Sequence, residues 1–165
     1  SPITTHIPIK NVVKEISKKK IILQARTINR FYKRNFNKKP KIAVTGLNPH
    51  CETQDSFSEE DKIISPAIRK LKKEGLSING PYPADTIFLK KNLPNFDVII
   101  GMYHDQVLTP IKALYGFNAI NITLGLPFLR ITPDHGPNES MLGKNKSSAD
   151  SLINALLFTN KIKWE

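Results

Sequence analysis

The alternation of apolar and polar positions divides the chain into short strands and amphipathic helices. Pro2 and Pro8 break any helix at the start, so residues 1–9 read as a strand end and a loop. Asn11 to Ser17 reads as a short helix. Residues 20–36 read as a longer one, in which Ile21, Ile22, Leu23, Ile28, Phe31, Tyr32 and Phe36 interleave with Lys and Arg. Lys41-Ile-Ala-Val-Thr-Gly46 is apolar and rich in β-branched residues; it predicts a buried strand emptying into a loop at Asn48-Pro49. Ser58 offers a helix cap followed by the first-turn acids Glu59, Glu60 and Asp61. Ile63, Ile64, Ile68 and Leu71 carry that helix to Lys73, and Gly75 stops it. Leu76 to Ile78 reads as a short strand, Asn79-Gly-Pro81 as a turn and Asp85 to Lys91 as a short helix. Phe96 to Tyr103 is a second buried strand. A helix follows over Gln106 to Tyr115, with Pro110 near its first turn or kinking it. Phe117 to Leu124 is a third strand, broken by Gly125-Leu-Pro127. Ser147 to Asn160 is a closing helix capped by Ser147 or Ser148.

Strands alternating with helices predict α/β layers with a mostly parallel sheet. In such sheets ligands gather at the carboxyl ends of strands. His50, His104 and the stretch after Leu124 all lie just past predicted strands.

The chain has four histidines, His6, His50, His104 and His135, and each lies beside a Pro, Gly or Asp in a loop-like string. Histidine is the side chain most often recruited for metal binding and for proton transfer near neutral pH. No pair has helical metal-ligand spacing, so spacing alone leaves a site and scattered surface histidines equally open.

Length bounds the chain to one large domain or parts of two. The longest apolar runs, such as Val98 to Gly101, are too short to span a bilayer. The first residue is Ser, so the start is either processed or internal to a longer chain. The single Cys51 excludes an internal disulfide and fits a reducing cytoplasm. The formal net charge of +11 raises the question of a nucleic-acid partner. The excess is Lys-dominated and spread along the chain. Its densest part is Lys18-Lys19-Lys20, followed by Arg26, Arg30, Lys33, Arg34, Lys38, Lys39 and Lys41. With apolar residues interleaved, this stretch reads as the solvated basic face of an amphipathic helix. There are no paired Cys/His knuckles and no aromatic stacking motif.

Six strings occur in order: T-T-H-I-P around His6, G-L-N-P-H at 46–50, G-P-Y-P-A-D-T at 80–86, G-M-Y-H-D-Q at 101–106, N-I-T-L-G-L-P-F-L-R at 121–130 and D-H-G at 134–136. Together they resemble the C-terminal half of the 4-hydroxythreonine-4-phosphate dehydrogenase (PdxA) family of vitamin B6 synthesis, over essentially the whole chain. The resemblance implies an isocitrate/isopropylmalate dehydrogenase-like three-layer α/β/α fold, here the C-terminal portion of a two-domain chain with its N-terminal half absent. It implies a cytoplasmic homodimer with a shared active site, a small phosphorylated substrate, and neither nucleic acid nor membrane as partner. It also implies a divalent metal (zinc, magnesium or cobalt) held by His6, His50 and His104, which suits neutral imidazoles. Asp85 and His104 are the implied catalytic residues. Asp85 or Asp105 could orient a ligand or assist proton transfer, and Asp105 reads equally well as a helix cap.

Lys112, Asn121 and Arg130 are implied to contact substrate, Arg being suited to bidentate oxyanion binding. Asp134, His135 and Gly136 are implied to bind NAD; there is no G-x-G-x-x-G string. Two stretches depart from the family pattern. Pro137-Asn138 stands where most members continue T-A, and Cys51-Glu-Thr-Gln-Asp55 where most have a Gly-rich stretch. The implied reaction is a metal-assisted oxidation by NAD followed by loss of CO₂, yielding 3-amino-2-oxopropyl phosphate. Other readings are a dehydrogenase of threonate or erythronate 4-phosphate, a basic nucleic-acid-binding module, and a degenerate structural paralogue.

Overall fold

The computed structural model describes residues 1–52, 57–137 and 139–163. The chain forms two compact units, Ser1–Pro110 and Ile111–Glu165, so the division falls at a proline inside a helix.

The first unit is an α/β layer structure. Its strands are β1 (Pro2–Thr4), β2 (Ile42–Thr45), β3 (Ile78–Tyr82) and β4 (Val98–Tyr103), all parallel, in the order β1-β4-β2-β3. Its helices are α1 (Ile9–Glu15), α2 (Lys18–Phe36), α3 (Ser65–Lys73), α4 (Ala84–Ile87) and the first part of α5 (His104–Tyr115). β2 is central and buried along its whole length, as expected of a parallel strand covered on both faces. Ala43 faces a cluster formed with Ile87, Phe88 and Val107. Strand alternation turns Ile42 and Val44 the other way, and α2 and α3 bury Ile21, Ala25, Ile28, Ile68 and Leu71. Each of these isoleucines and Leu71 contributes about 1.5–3 kcal/mol by leaving water.

α2 begins at Ser17, whose Oγ accepts the Lys20 amide at 3.3 Å, and ends at Asn37 in the left-handed conformation. The basic face predicted for it is present, but three of its neighbourhood's cations are paired: Lys20 with Glu15, Arg26 with Glu74, and Lys38 with Asp97. Asp97 also accepts the Lys41 amide at 2.8 Å, tying the starts of β2 and β4 together.

Several elements differ from the pattern-based expectation. Asn79-Gly-Pro81 is not a turn but the middle of β3. β3 is an edge strand, and its register against β2 slips between Ala43↔Asn79 and Thr45↔Tyr82, so the proline falls where a missing amide costs least. The helix expected from Ser58 opens with a π-helical turn at Glu60–Ile64, and Glu60 points inward rather than into solvent. The helix expected over Asp85–Lys91 is the four-residue α4. Pro110 lies well inside α5 rather than in its first turn.

The second unit pairs β5 (Ile120–Thr123) with β6 (Arg130–Pro133) as an antiparallel hairpin, so the third predicted strand does not join a parallel sheet. The expected break at Gly125-Leu-Pro127 is the loop of that hairpin. α6 (Asp150–Thr159) packs against both strands and buries Ser151 and Ala155. Ser148, one of the two caps expected, accepts the Asp150 amide at 3.1 Å. Leu152, Ile153, Leu156 and Leu157 stay 49–60% exposed.

Candidate active site

Parallel pairing puts the carboxyl ends of β1 and β4 side by side, with Thr4 opposite Tyr103. His6 follows β1 by two residues and His104 follows β4 directly. Their ring centroids stand 5.6 Å apart, tilted by 40°. They line a cleft of about 260 Å³ together with Thr5, Ile7, Tyr103 and Asp105.

This spacing can be compared with what a shared cation requires. A metal–nitrogen distance of about 2.0–2.1 Å sets each ring centroid about 3.2 Å from the ion, and a tetrahedral angle then separates two centroids by about 5.2 Å. The His6–His104 pair is close to that value. Asp105 adds a second condition. Its Oδ1 lies 2.7 Å from His104 Nδ1. A carboxylate only accepts, so this contact calls for a proton on Nδ1; in the neutral imidazole that leaves the lone pair on Nε2, the tautomer a metal ligand needs.

His50 is elsewhere. It stands in the short turn after β2, with Nδ1 4.0 Å from Asp85 Oδ2, and both side chains are well exposed. Among the described residues, no three His, Cys, Asp or Glu side chains converge closely enough to hold a metal ion. The three expected ligands therefore gather within one chain as a histidine pair and a separate His50–Asp85 pair.

Backbone geometry singles out the same histidines. Among the described residues, non-glycine positive φ occurs at His6 (45°), Asn37 (48°), His50 (56°), Cys51 (61°) and Asn145 (53°). The two asparagines are ordinary occupants of that region. The other three lie in the two loops that carry His6 and His50, where stored strain is commonly part of a site. Burial pushes the Cys51 thiol up, nearby Glu60 and Asp85 push it the same way, and the contact with the Gly46 backbone only partly opposes them.

The loop ahead of His50 is held by polar residues that pattern reading assigns to the surface. Glu60 is 2% exposed. Its Oε1 accepts the amides of Leu47 (2.7 Å) and Asn48 (2.8 Å), and its Oε2 accepts from Asn48 Nδ2 (2.9 Å) and Ser58 Oγ (3.0 Å). Burial alone would raise this carboxyl; the hydrogen bonds from Asn48 and Leu47 outweigh it and hold it below the usual range. A depressed folded value means stability present above about pH 4.5 and lost as pH falls through the folded value. Glu60→Gln is therefore expected to flatten the acid limb of a stability–pH curve, read by urea denaturation at stepped pH. An acid limb as steep as in the parent would refute this.

Gln106, inside the Y-H-D-Q string, is also buried. Its Oε1 accepts from Thr45 Oγ1 (2.8 Å) and the Met102 amide (2.7 Å), and its Nε2 donates to the Gly46 carbonyl (2.8 Å). Neither Glu60 nor Gln106 figured among the sequence-derived candidates.

The second unit carries the other predicted residues. Asn121 and Arg130 share one face of the hairpin, with Asn121 opposite Thr132 and Thr123 opposite Arg130. Arg130 donates to Thr123 Oγ1 at 2.9 Å. The other face carries Ile120, Ile122 and Ile131. Lys112 is not a solvated helix lysine: its ammonium lies 3.1 Å from Asp134 Oδ2 and donates to the Asp134 carbonyl. His135 Nδ1 stands 3.1 Å from the Gly136 carbonyl, and its ring meets Phe117 edge-on at 6.4 Å. Asp134 thus joins the expected substrate lysine to the expected cofactor loop. The departures at Thr53-Gln54-Asp55 and at Asn138 lie outside the described residues.

A family model described as pyridoxal phosphate biosynthetic protein PdxA matches residues 1–159. The chain belongs to the PdxA family. A curated PdxA relative, the 4-hydroxythreonine-4-phosphate dehydrogenase of Sulfurihydrogenibium sp., is 47% identical over 156 residues, which is 93% of this chain and 48% of that protein. The crystal structure of 4-hydroxythreonine-4-phosphate dehydrogenase from Klebsiella pneumoniae superposes with a TM-score of 0.81 at 33% identity, covering 96% of this chain and 49% of that one. A terephthalate 1,2-cis-dihydrodiol dehydrogenase from Burkholderia xenovorans shares the fold at a TM-score of 0.73 and 25% identity, covering 97% of this chain and 52% of that one. The chain spans about half the length of the curated relatives it matches.

Proposed function

We propose that this chain is the C-terminal half of an NAD-dependent, metal-assisted dehydrogenase. It converts 4-phosphohydroxy-L-threonine to 3-amino-2-oxopropyl phosphate and CO₂ in pyridoxal phosphate biosynthesis. The observation that carries this reading is the His6–His104 pair: two imidazoles at strand ends, spaced for one shared ion, one of them set in the right tautomer by Asp105. Family membership supplies the substrate class.

In this reading His6, His50 and His104 hold a divalent cation (zinc, magnesium or cobalt), which supplies Lewis-acid polarisation of the substrate's hydroxyl oxygen. His50 stays with Asp85 within one chain, and we assign completion of the ligand set to a second copy in a homodimer. Asp85 is the group that takes the hydroxyl proton. Arg130, Lys112 and Asn121 bind the phosphorylated substrate, Arg130 through its planar fork. Asp134, His135 and Gly136 would hold NAD⁺, which would supply the hydride acceptor. We place the enzyme in the cytoplasm and assign it no nucleic-acid or membrane partner.

The test is NADH formation by the full-length chain with 4-phosphohydroxy-L-threonine, threonate 4-phosphate and erythronate 4-phosphate in parallel, together with metal analysis. Turnover confined to the amino-acid phosphate, with about one divalent ion per site, supports the reading. Preference for a sugar-acid phosphate would move the enzyme to a different substrate, and no bound metal would remove the mechanism.

The exposed leucines and isoleucine of α6 support the half-chain assignment. Four large apolar residues on one short helix form a surface that ordinarily meets protein, and a two-stranded hairpin is marginal alone. The 165-residue chain expressed by itself is expected to bind a hydrophobic dye and self-associate. Co-expression with its N-terminal half is expected to suppress both. Dye binding unchanged by the second half would contradict the assignment.

A further inference from the structure

The segment Gly46-Leu47-Asn48 leads from the end of β2 to Pro49 and His50, and its peptide groups are held from two sides. Glu60 takes the amides of Leu47 and Asn48 and the side chain of Asn48, and Gln106 takes the carbonyl of Gly46. Three consecutive residues thus have their backbone fixed by buried side chains from two other parts of the unit. There is no slack in the bracket: a methyl group on Gly46 would stand 3.0 Å from Glu60 Oε1 and 2.7 Å from Cys51 Sγ. Immediately beyond it, His50 and Cys51 both adopt positive φ. Such geometry persists only where the surroundings over-determine it.

Gln106 reaches a second place at the same time. Its Oε1 accepts the Met102 amide, two residues before His104, and the hydroxyl of Thr45 at the end of β2. One side-chain amide therefore joins the terminus of β2 to the terminus of β4. These are the strands from which His50 and His104 emerge.

We infer that Gln106 and Glu60 are positioning residues for the histidine centre: Glu60 and Gln106 together set where His50 stands, and Gln106 fixes the strand end that carries His104. Neither touches the reacting groups. Both act through the backbone, in the manner of outer partners that orient ligands. The inference rests on the metal-site reading above.

The experiment is titration of the metal-free, full-length chain with Co²⁺. Affinity is followed through visible absorption, and Tm is measured without metal on the same samples. The variants are Gln106→Met, which keeps volume but removes every hydrogen bond of the amide, and Glu60→Gln, which keeps shape but removes the charge. Leu71→Ala, in the core of α3 and away from the histidines, serves as the stability control. Gln106→Met and Glu60→Gln are expected to weaken Co²⁺ binding by about tenfold or more and to change the visible spectrum of the bound ion. Leu71→Ala is expected to lower Tm while its affinity and spectrum match the parent. If Gln106→Met does not fold, Glu60→Gln decides alone. Parent-like affinity and spectrum in the folded variants, or an equal loss in Leu71→Ala, would overturn the inference and leave the metal site standing. Absence of Co²⁺ binding in the parent would overturn both.

Discussion

Turnover by the full-length chain will fall about a thousandfold in His104→Ala, and the bound metal will be lost with it. His104 is the best prepared of the candidate ligands. It leaves the end of β4 directly, its Nδ1 is engaged by Asp105, and its ring lies 5.6 Å from that of His6. A Lewis-acid contribution of about 4 kcal/mol, at about 1.4 kcal/mol per tenfold, amounts to roughly three powers of ten in rate. Asp105→Ala keeps the imidazole but frees its tautomer, and a smaller loss of about tenfold in metal affinity is expected. Asp105→Asn still accepts from Nδ1 and is expected to lie between the parent and Asp105→Ala. Steady-state NADH formation and metal content, measured on the same preparations, check the order. A His104→Ala variant that retained both would remove the site assignment altogether.

The second large effect is on folding. Gly80 sits at φ 137° in the irregular part of β3, and a Cβ built there would stand 2.4 Å from the Val44 carbonyl oxygen. That oxygen belongs to the central, fully buried strand and cannot move aside. Overpacking costs about 1–3 kcal/mol, and forcing alanine to positive φ adds about 1 kcal/mol or more. Gly80→Ala is therefore expected to destabilise the first unit by roughly 4 kcal/mol and to lower Tm by about 10 °C. Thermal unfolding followed by circular dichroism measures it. A shift of only a degree or two would mean that β3 rearranges at little cost and is not pinned to β2 as described.

Much of the first unit could be read in the sequence because its signals are local. β2 and β4 are apolar runs with turn residues after them, and α2 is amphipathic with a serine cap. β3 is legible only at its start: the short strand read over Leu76 to Ile78 reaches its first residue, and Gly80-Pro81 reads as a turn anywhere except at a sheet edge. β6 was hidden because R-I-T-P is four residues long and ends in proline. Its partner β5 carries the same alternation whether it pairs in parallel or as a hairpin. The site divides along the same line. That His104 follows a strand end is legible, but its meeting with His6 is not, because it depends on β1 pairing with β4. Glu60 and Gln106 escaped because a buried polar residue has no one-dimensional signature: in S-E-E-D and Y-H-D-Q they look like solvated helix residues. The Lys112–Asp134 pair was likewise invisible, since it joins a helix to a loop twenty-two residues on.

The left-handed backbone at His6 and His50 bears on how such a protein can be hardened against heat. Glycine at either position would relieve about 1 kcal/mol of strain or more, so the simplest stabilising substitution there is also the one that deletes the imidazole. Under the proposed metal site, screens that select on melting temperature alone would drift toward inactive chains at these two turns. Thermostable forms that keep activity must find their gains in the α2–α3 core and the sheet, far from the ends of β1 and β2.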